Sequence, residues 1–145
     1  MAELDQQMIA AMVREVMSRL QGSSSDCPVK KIPLPLLNVS EEHRMDTGNP
    51  GDQVWTRDLF TLQESPRLGC GLMVMKNTTF PWTLNYDEID YVIEGHLDIH
   101  MDGHIISAGP GEIILIPKGS SIKFSAPESA RFLYFVYPAD WQAQK

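Results

Sequence analysis

Cysteine is scarce in this chain: its 145 residues hold two, Cys27 and Cys70. They form neither a CxxC pair nor a disulfide framework, so both are expected as free thiols in a reducing cytoplasm. Positive charge is also in deficit, with 12 Lys and Arg against 19 Asp and Glu and a formal net charge of −7. An acidic chain repels phosphate backbones and anionic lipid, which argues against nucleic acid and membrane partners. No apolar run is long enough to cross a bilayer. Glu3, Asp5, Arg14 and Glu15 interrupt the apolar residues of the N-terminus, so it does not read as a secretory signal. A Gly-rich phosphate loop and a nucleophile–His–acid arrangement are missing as well. What is present is a hydrophobic fraction of 43%, enough for one domain with its own core.

The first segment has helical spacing. Met8, Ile9, Met12, Val13, Val16, Met17 and Leu20 share one face, with Arg14, Glu15, Ser18 and Arg19 opposite. Residues 1–22 are read as an amphipathic helix that stops at Gly22, and residues 23–29 as a flexible linker. So short a helix needs something to bury its stripe against. From residue 30 to 145 the period changes. Short strand-like runs are expected at 53–59, 68–76, 88–94, 96–102, 112–116, 122–124 and 131–137. Turns are expected at Asp102-Gly103, Gly109-Pro110-Gly111, Pro117-Lys118-Gly119 and Ala126-Pro127. Many short strands at regular spacing indicate a sandwich or barrel.

Two spaced motifs carry the chemistry. Residues 80–95 read FPWTLNYDEIDYVIEG, and residues 111–122 read GEIILIPKGSSI. In the first, six residues separate Glu88 from Gly95; in the second, five separate Gly111 from the Pro-x-Gly of Pro117 and Gly119. In type and order these resemble the two motifs of the cupin family. The resemblance implies an all-β fold, an antiparallel cupin (jelly-roll) barrel over 30–145 behind a short N-terminal helix. Metal-binding cupins place a His-x-His pair before the Glu and a third His after Pro-x-Gly. Those positions fall here on Trp82, Leu84 and Ile122, leaving Glu88 alone. One carboxylate does not hold Fe, Mn or Zn, which take about three or four protein ligands, so no tightly bound metal is expected.

Side chains two apart on a strand share a face. Trp82, Leu84, Tyr86, Glu88 and Asp90 would therefore line the barrel interior. Two acids among aromatics in a small cavity would have raised pKa values and could exchange protons, which makes Tyr86, Glu88 and Asp90 the catalytic candidates. Trp82, Leu84, Asp87, Tyr91, Lys118 and Ile122 are the candidate walls of a small-molecule pocket. The other reading leaves Asp87 and Asp90 on the rim and Glu88 merely hydrogen-bonded to Tyr86 or Tyr91. The alternating run His96, Asp98, His100 and Asp102 has metal-ligand residue types, but Leu97, Ile99 and Met101 between them indicate a solvated face over an apolar one.

Three separated segments narrow the resemblance: YDEIDYVIEG at 86–95, IPKGSSIKF at 116–124 and FVYPADW at 135–141. They resemble the EutQ family of ethanolamine utilisation proteins, in which Trp82-x-Leu84-x-Tyr86-Asp87-Glu88 stands in place of the histidine motif. The resemblance implies a homodimer in the bacterial cytoplasm, associated with an ethanolamine-catabolising microcompartment and active in shell assembly. It also implies an acetate kinase activity using Mg²⁺ and ATP. A metal-free acid/base isomerase and a purely structural accessory protein are the alternatives. The N-terminal helix resembles encapsulation peptides, which contact shell or cargo proteins by laying an apolar stripe on a partner helix; packing on its own barrel or across a dimer is the other possibility.

Overall fold

A computed structural model of the chain describes residues 6–21 and 27–145. The chain forms two compact units, residues 1–37 and 38–145. In the first, helix α1 spans Gln6–Gln21, and Met8, Ile9, Met12, Val13, Val16 and Met17 are exposed along it. The expected helix stop at Gly22 and the linker positions 23–26 lie outside the described residues.

The second unit is built on seven antiparallel strands: β1 Gln53–Asp58, β2 Gly69–Thr83, β3 Asp87–Gly95, β4 Leu97–Met101, β5 His104–Ala108, β6 Ile113–Ile116 and β7 Ser121–Tyr137. One path runs β1-β2-β7-β3-β6. The length of β7 lets it join both parts of the sheet. Its first half pairs with β4 (Ile99 opposite Phe124), its second half with β3 (Glu88 opposite Val136), and β2 pairs along both halves. The expected antiparallel barrel is what forms.

The strand expected at 68–76 continues as β2 to Thr83, and two further details differ from the sequence reading. The turn expected at Ala126-Pro127 is absent, and the flanking runs are one strand. Between the pairs Lys76–Ser129 and Thr78–Ala126, Pro127 and Glu128 bulge opposite Asn77, whose φ is +44°. A bulge spares proline the ladder bond it cannot donate, so the strand bends and continues. The second difference is β5, which the sequence reading omitted. Asp102 (φ +50°) and Gly103 (φ +80°) make the two-residue turn that folds β5 back on β4, with Met101 opposite His104.

Alternation sets the core. On β3, Glu88, Asp90 and Val92 point inward; on β6, Ile114 and Ile116; on the second half of β7, Phe132, Tyr134 and Val136. The outer side of the same strands is unusually apolar. Ile89, Tyr91, Ile113, Leu115, Phe135 and Tyr137 are all exposed, and the register sets Ile89 beside Leu115 and Phe135, and Tyr91 beside Ile113. Cys27 is exposed and Cys70 half-buried, both as free thiols. His96 and Asp102 are exposed and Asp98 and His100 half-buried, while Leu97 and Ile99 are buried; Met101, expected on the apolar side, is exposed beside the turn. Among the described residues, no three His, Cys, Asp or Glu are grouped as a metal ion requires.

Candidate functional site

Two acids occupy consecutive inward positions of β3, where a barrel ordinarily places aliphatic side chains. Asp90 is fully buried and Glu88 is 4% exposed. The strand ladders hold them there: Glu88 lies between Ile116 and Val136, and Asp90 between Ile114 and Tyr134. With both carboxyls ionised, Glu88 Oε1 and both Asp90 oxygens lack any hydrogen-bond donor. Buried carboxylates in that state are very costly. A proton on Asp90 removes the conflict, because the acid then donates to Glu88. Burial pushes Glu88 up to about 7, against the pull of the hydrogen bonds it accepts from Asp90 and Tyr86. Burial and the adjacent Glu88 charge push Asp90 well above the ordinary carboxylate range. Above about 7 the pair therefore holds one proton and one negative charge.

Aromatic side chains complete the centre. Trp82 Nε1 donates to the Tyr86 hydroxyl at 2.8 Å. The Tyr134 hydroxyl donates to Asp58 Oδ1 at 2.7 Å. Burial and the nearby carboxylates raise both phenols above their usual range, so they stay protonated. Trp141, from the C-terminal turn Trp141–Ala143, packs among Trp82, Tyr86 and Tyr134, with ring centroids 6.2, 5.4 and 6.2 Å away. Met45, Met73, Trp82, Tyr86, Glu88, Phe124, Tyr134 and Trp141 line a cavity of about 10 Å³, room for roughly one water molecule.

The structure thus brings Trp82, Tyr86, Glu88 and Asp90 together, with Asp90 behind Glu88 and off the cavity wall. Leu84 and Ile122 are buried in the core, and Ile122 pairs with Trp82 across the β2–β7 ladder. Three candidate pocket residues are placed elsewhere. Tyr91 has the opposite strand parity and joins the outer apolar face. Asp87 and Lys118 are exposed and meet each other outside, where the Lys118 amide donates to Asp87 Oδ1 at 2.9 Å. That contact secures the 117–120 turn, which also clasps Leu84: its amide donates to the Ser120 carbonyl at 2.9 Å and its carbonyl accepts from Gly119 at 2.7 Å. Met45, Met73, Tyr134 and Trp141 were not among the sequence candidates. The inward parity of the 131–137 run was the available signal for Tyr134.

The centre does not suit a magnesium nucleotide. Its space is about one water, and its charged groups are acids with no Lys, Arg or His on the wall to meet phosphates. Phosphoryl transfer needs cationic stabilisation of the transferred group, so no step is routed through Mg²⁺–ATP at this place.

Comparison with known proteins gives a consistent result. The family description "Ethanolamine utilisation protein EutQ" matches residues 2–143. The acetate kinase EutQ of Clostridioides difficile strain 630 is 53% identical over 153 aligned residues, covering 99% of this chain and 98% of that protein. The solved structure of the Clostridium difficile EutQ protein superposes with a TM-score of 0.82 at 62% identity, covering 85% of this chain and 90% of the other. The acetate kinase EutQ of Salmonella typhimurium LT2 is 50% identical over 86 residues, which is 59% of this chain but only 38% of that longer relative. The Schizosaccharomyces pombe Cnp3 cupin domain aligns at 14% identity with a TM-score of 0.54, covering 77% of this chain and 76% of the domain, and shows the shared cupin fold alone.

Proposed function

The chain belongs to the EutQ family of ethanolamine utilisation proteins, and from that premise we propose that it catalyses the reaction its relatives are named for at a bacterial microcompartment, while its barrel interior is a separate proton-sharing site for a small molecule. The reaction is ATP + acetate giving ADP + acetyl phosphate. What supports it is the full-length identity to a protein named acetate kinase EutQ. What separates the interior from that reaction is chemistry. Acetate is already ionised at neutral pH and needs no general base to attack phosphorus. A buried pair with one negative charge repels both acetate and ATP. The nucleotide then binds outside the barrel cavity. The interior reading rests on the Glu88–Asp90 pair, whose orphaned oxygens require a proton or a bound donor.

One assay tests both parts. The chain incubated with Mg²⁺, ATP and acetate should release ADP and acetyl phosphate, and Glu88→Gln should retain turnover within a few-fold. An inactive parent chain would remove the kinase reading. A correctly folded Glu88→Gln protein with turnover reduced ~100-fold or more, the usual loss for an acid/base group, would make the interior the catalytic site instead.

Assembly completes the proposal. The outer apolar face on β6, β3 and β7 is suited to a second copy of the chain in a homodimer, since exposed patches of this kind mark association surfaces. The pair of substitutions Ile89→Arg and Leu115→Glu should convert the dimer to a soluble monomer, measured by light scattering. A parent chain that is monomeric at high concentration would contradict the dimer. The exposed stripe of α1 is suited to a shell or cargo protein of the compartment, with shell assembly as the consequence.

A further inference from the structure

We propose that Trp141 is a removable plug: the C-terminal turn seats its indole in the cavity that Glu88 lines, and when the turn swings out, the vacated slot takes a flat, uncharged ring from a ligand. This rests on the reading of the interior as a small-molecule site and not on the kinase reading.

Access is what the closed arrangement denies. Glu88 lines the cavity yet is sealed from solvent, its Oε1 has no partner, and the free space holds about one water. Nothing larger reaches the pair unless part of the wall moves. Met73, Trp82, Glu88, Phe124 and Tyr134 belong to paired strands and cannot leave without opening the sheet. The Met45 amide donates to the Val54 carbonyl of β1 at 2.9 Å, and Tyr86 sits between Leu84, clasped by the 117–120 turn, and the start of β3.

Trp141 differs. It stands in a three-residue turn past the end of β7. Among the described residues, one hydrogen bond ties positions 139–145 to the rest of the barrel, from the Ala139 amide to the Arg67 carbonyl at 2.9 Å. The bonds of Ala143 and Gln144 return to Asp140 and Trp141 within the turn itself. Ala139 and Trp141 are buried, while Asp140, Gln142, Ala143 and Lys145 are exposed. The Trp141 indole N–H donates to no protein group, so the ring is held by packing. A terminal segment with so few ties opens locally while the barrel stays folded, and a pocket closed by such a segment exists in the open minor state.

The slot defines what replaces the indole. Trp82, Tyr86 and Tyr134 meet it with planes inclined at 64°, 53° and 73°. A flat ring of similar size reproduces those edge-to-face contacts. Met45, Met73 and Phe124 add apolar wall. A charged group would lose its hydration against that wall, and an anion would also meet Glu88. An uncharged ring fits both conditions.

The test labels the intact chain with 5-fluorotryptophan and follows Trp55, Trp82 and Trp141 by fluorine NMR, with Trp141→Phe assigning the Trp141 signal. Relaxation dispersion should show exchange at Trp141 and none at Trp55, which is equally buried (8% against 7% exposed) but fixed on β1. By calorimetry, indole should bind Trp141→Ala at least ten-fold more tightly than the parent, because the plug no longer competes. Indole-3-carboxylate should bind that variant at least ten-fold more weakly than indole. A Trp141 signal as static as that of Trp55 would overturn the plug, and this result decides alone if Trp141→Ala does not fold. No indole binding by a folded Trp141→Ala, equal binding by both chains, or equal binding of indole-3-carboxylate would overturn the slot. The shared proton is read separately, by carboxyl titration of Glu88 and Asp90, so a static Trp141 beside an intact pair would refute the plug and leave the interior centre standing.

Discussion

Gly95→Ala should destabilise the barrel by about 3 kcal/mol, from roughly 1–2 kcal/mol for the backbone conformation and roughly 1–3 kcal/mol for packing. Gly95 has φ +75°, and an added Cβ would run into the Ser129 carbonyl of β7. That carbonyl also accepts from the His96 amide at 3.0 Å, so it is not free to retreat. Gly119 is the control. Its φ is +89°, but nothing lies within 4 Å of an added Cβ, so alanine there should cost only about 1 kcal/mol. Denaturant titrations of the two variants should differ by about 2 kcal/mol, and the Gly95 variant should melt roughly 10 °C lower than the parent. Equal losses at both positions would show that the approach to Ser129 is not what requires glycine.

Stability should fall as pH rises from about 5 to about 8, the opposite of ordinary acid denaturation. Glu88 is raised from 4.5 to about 7 in the folded chain, and Asp90 is raised further. Through that window the folded state holds more protons than the unfolded state, so raising the pH favours unfolding. The stabilisation is complete below the unfolded carboxyl range and is lost as pH climbs through the folded value. A shift from 4.5 to about 7 corresponds to about 3 kcal/mol from Glu88. The double substitution Glu88→Gln and Asp90→Asn keeps shape and removes the titration. Its unfolding free energy should be flat in this window and should exceed the parent's at pH 8. A parent chain most stable at pH 8, with no change of slope in the double variant, would refute the shared proton.

Much of this was legible in the sequence because alternation is a local property. The inward set Trp82, Leu84, Tyr86, Glu88 and Asp90 follows from a period of two, although the chain bends between β2 and β3 inside that set. The same parity argues against Tyr91 and Asp87, whose odd positions put them outside. β5 escaped because His104 to Ser107 are exposed on both faces, leaving no alternation to read. The continuity of β7 escaped because proline is ordinarily a strand end, and only pairing with β2 shows the bulge that absorbs it. The other walls of the cavity come from residue 45 and residue 141, far from β3 in sequence. No pattern within one strand can bring them together; the closed barrel does.

The central claim is that Glu88 and Asp90, buried side by side on the inner face of β3, share one proton. Carbon-13 NMR of the Asp and Glu side-chain carboxyls, followed from pH 4 to pH 9, reads it directly. Glu88 should titrate near 7, with Asp90 still protonated after the exposed carboxyls have ionised, and Asp90→Asn should return Glu88 to a single unlinked titration. Both carboxyls ionising in the ordinary range near 4 would contradict the account.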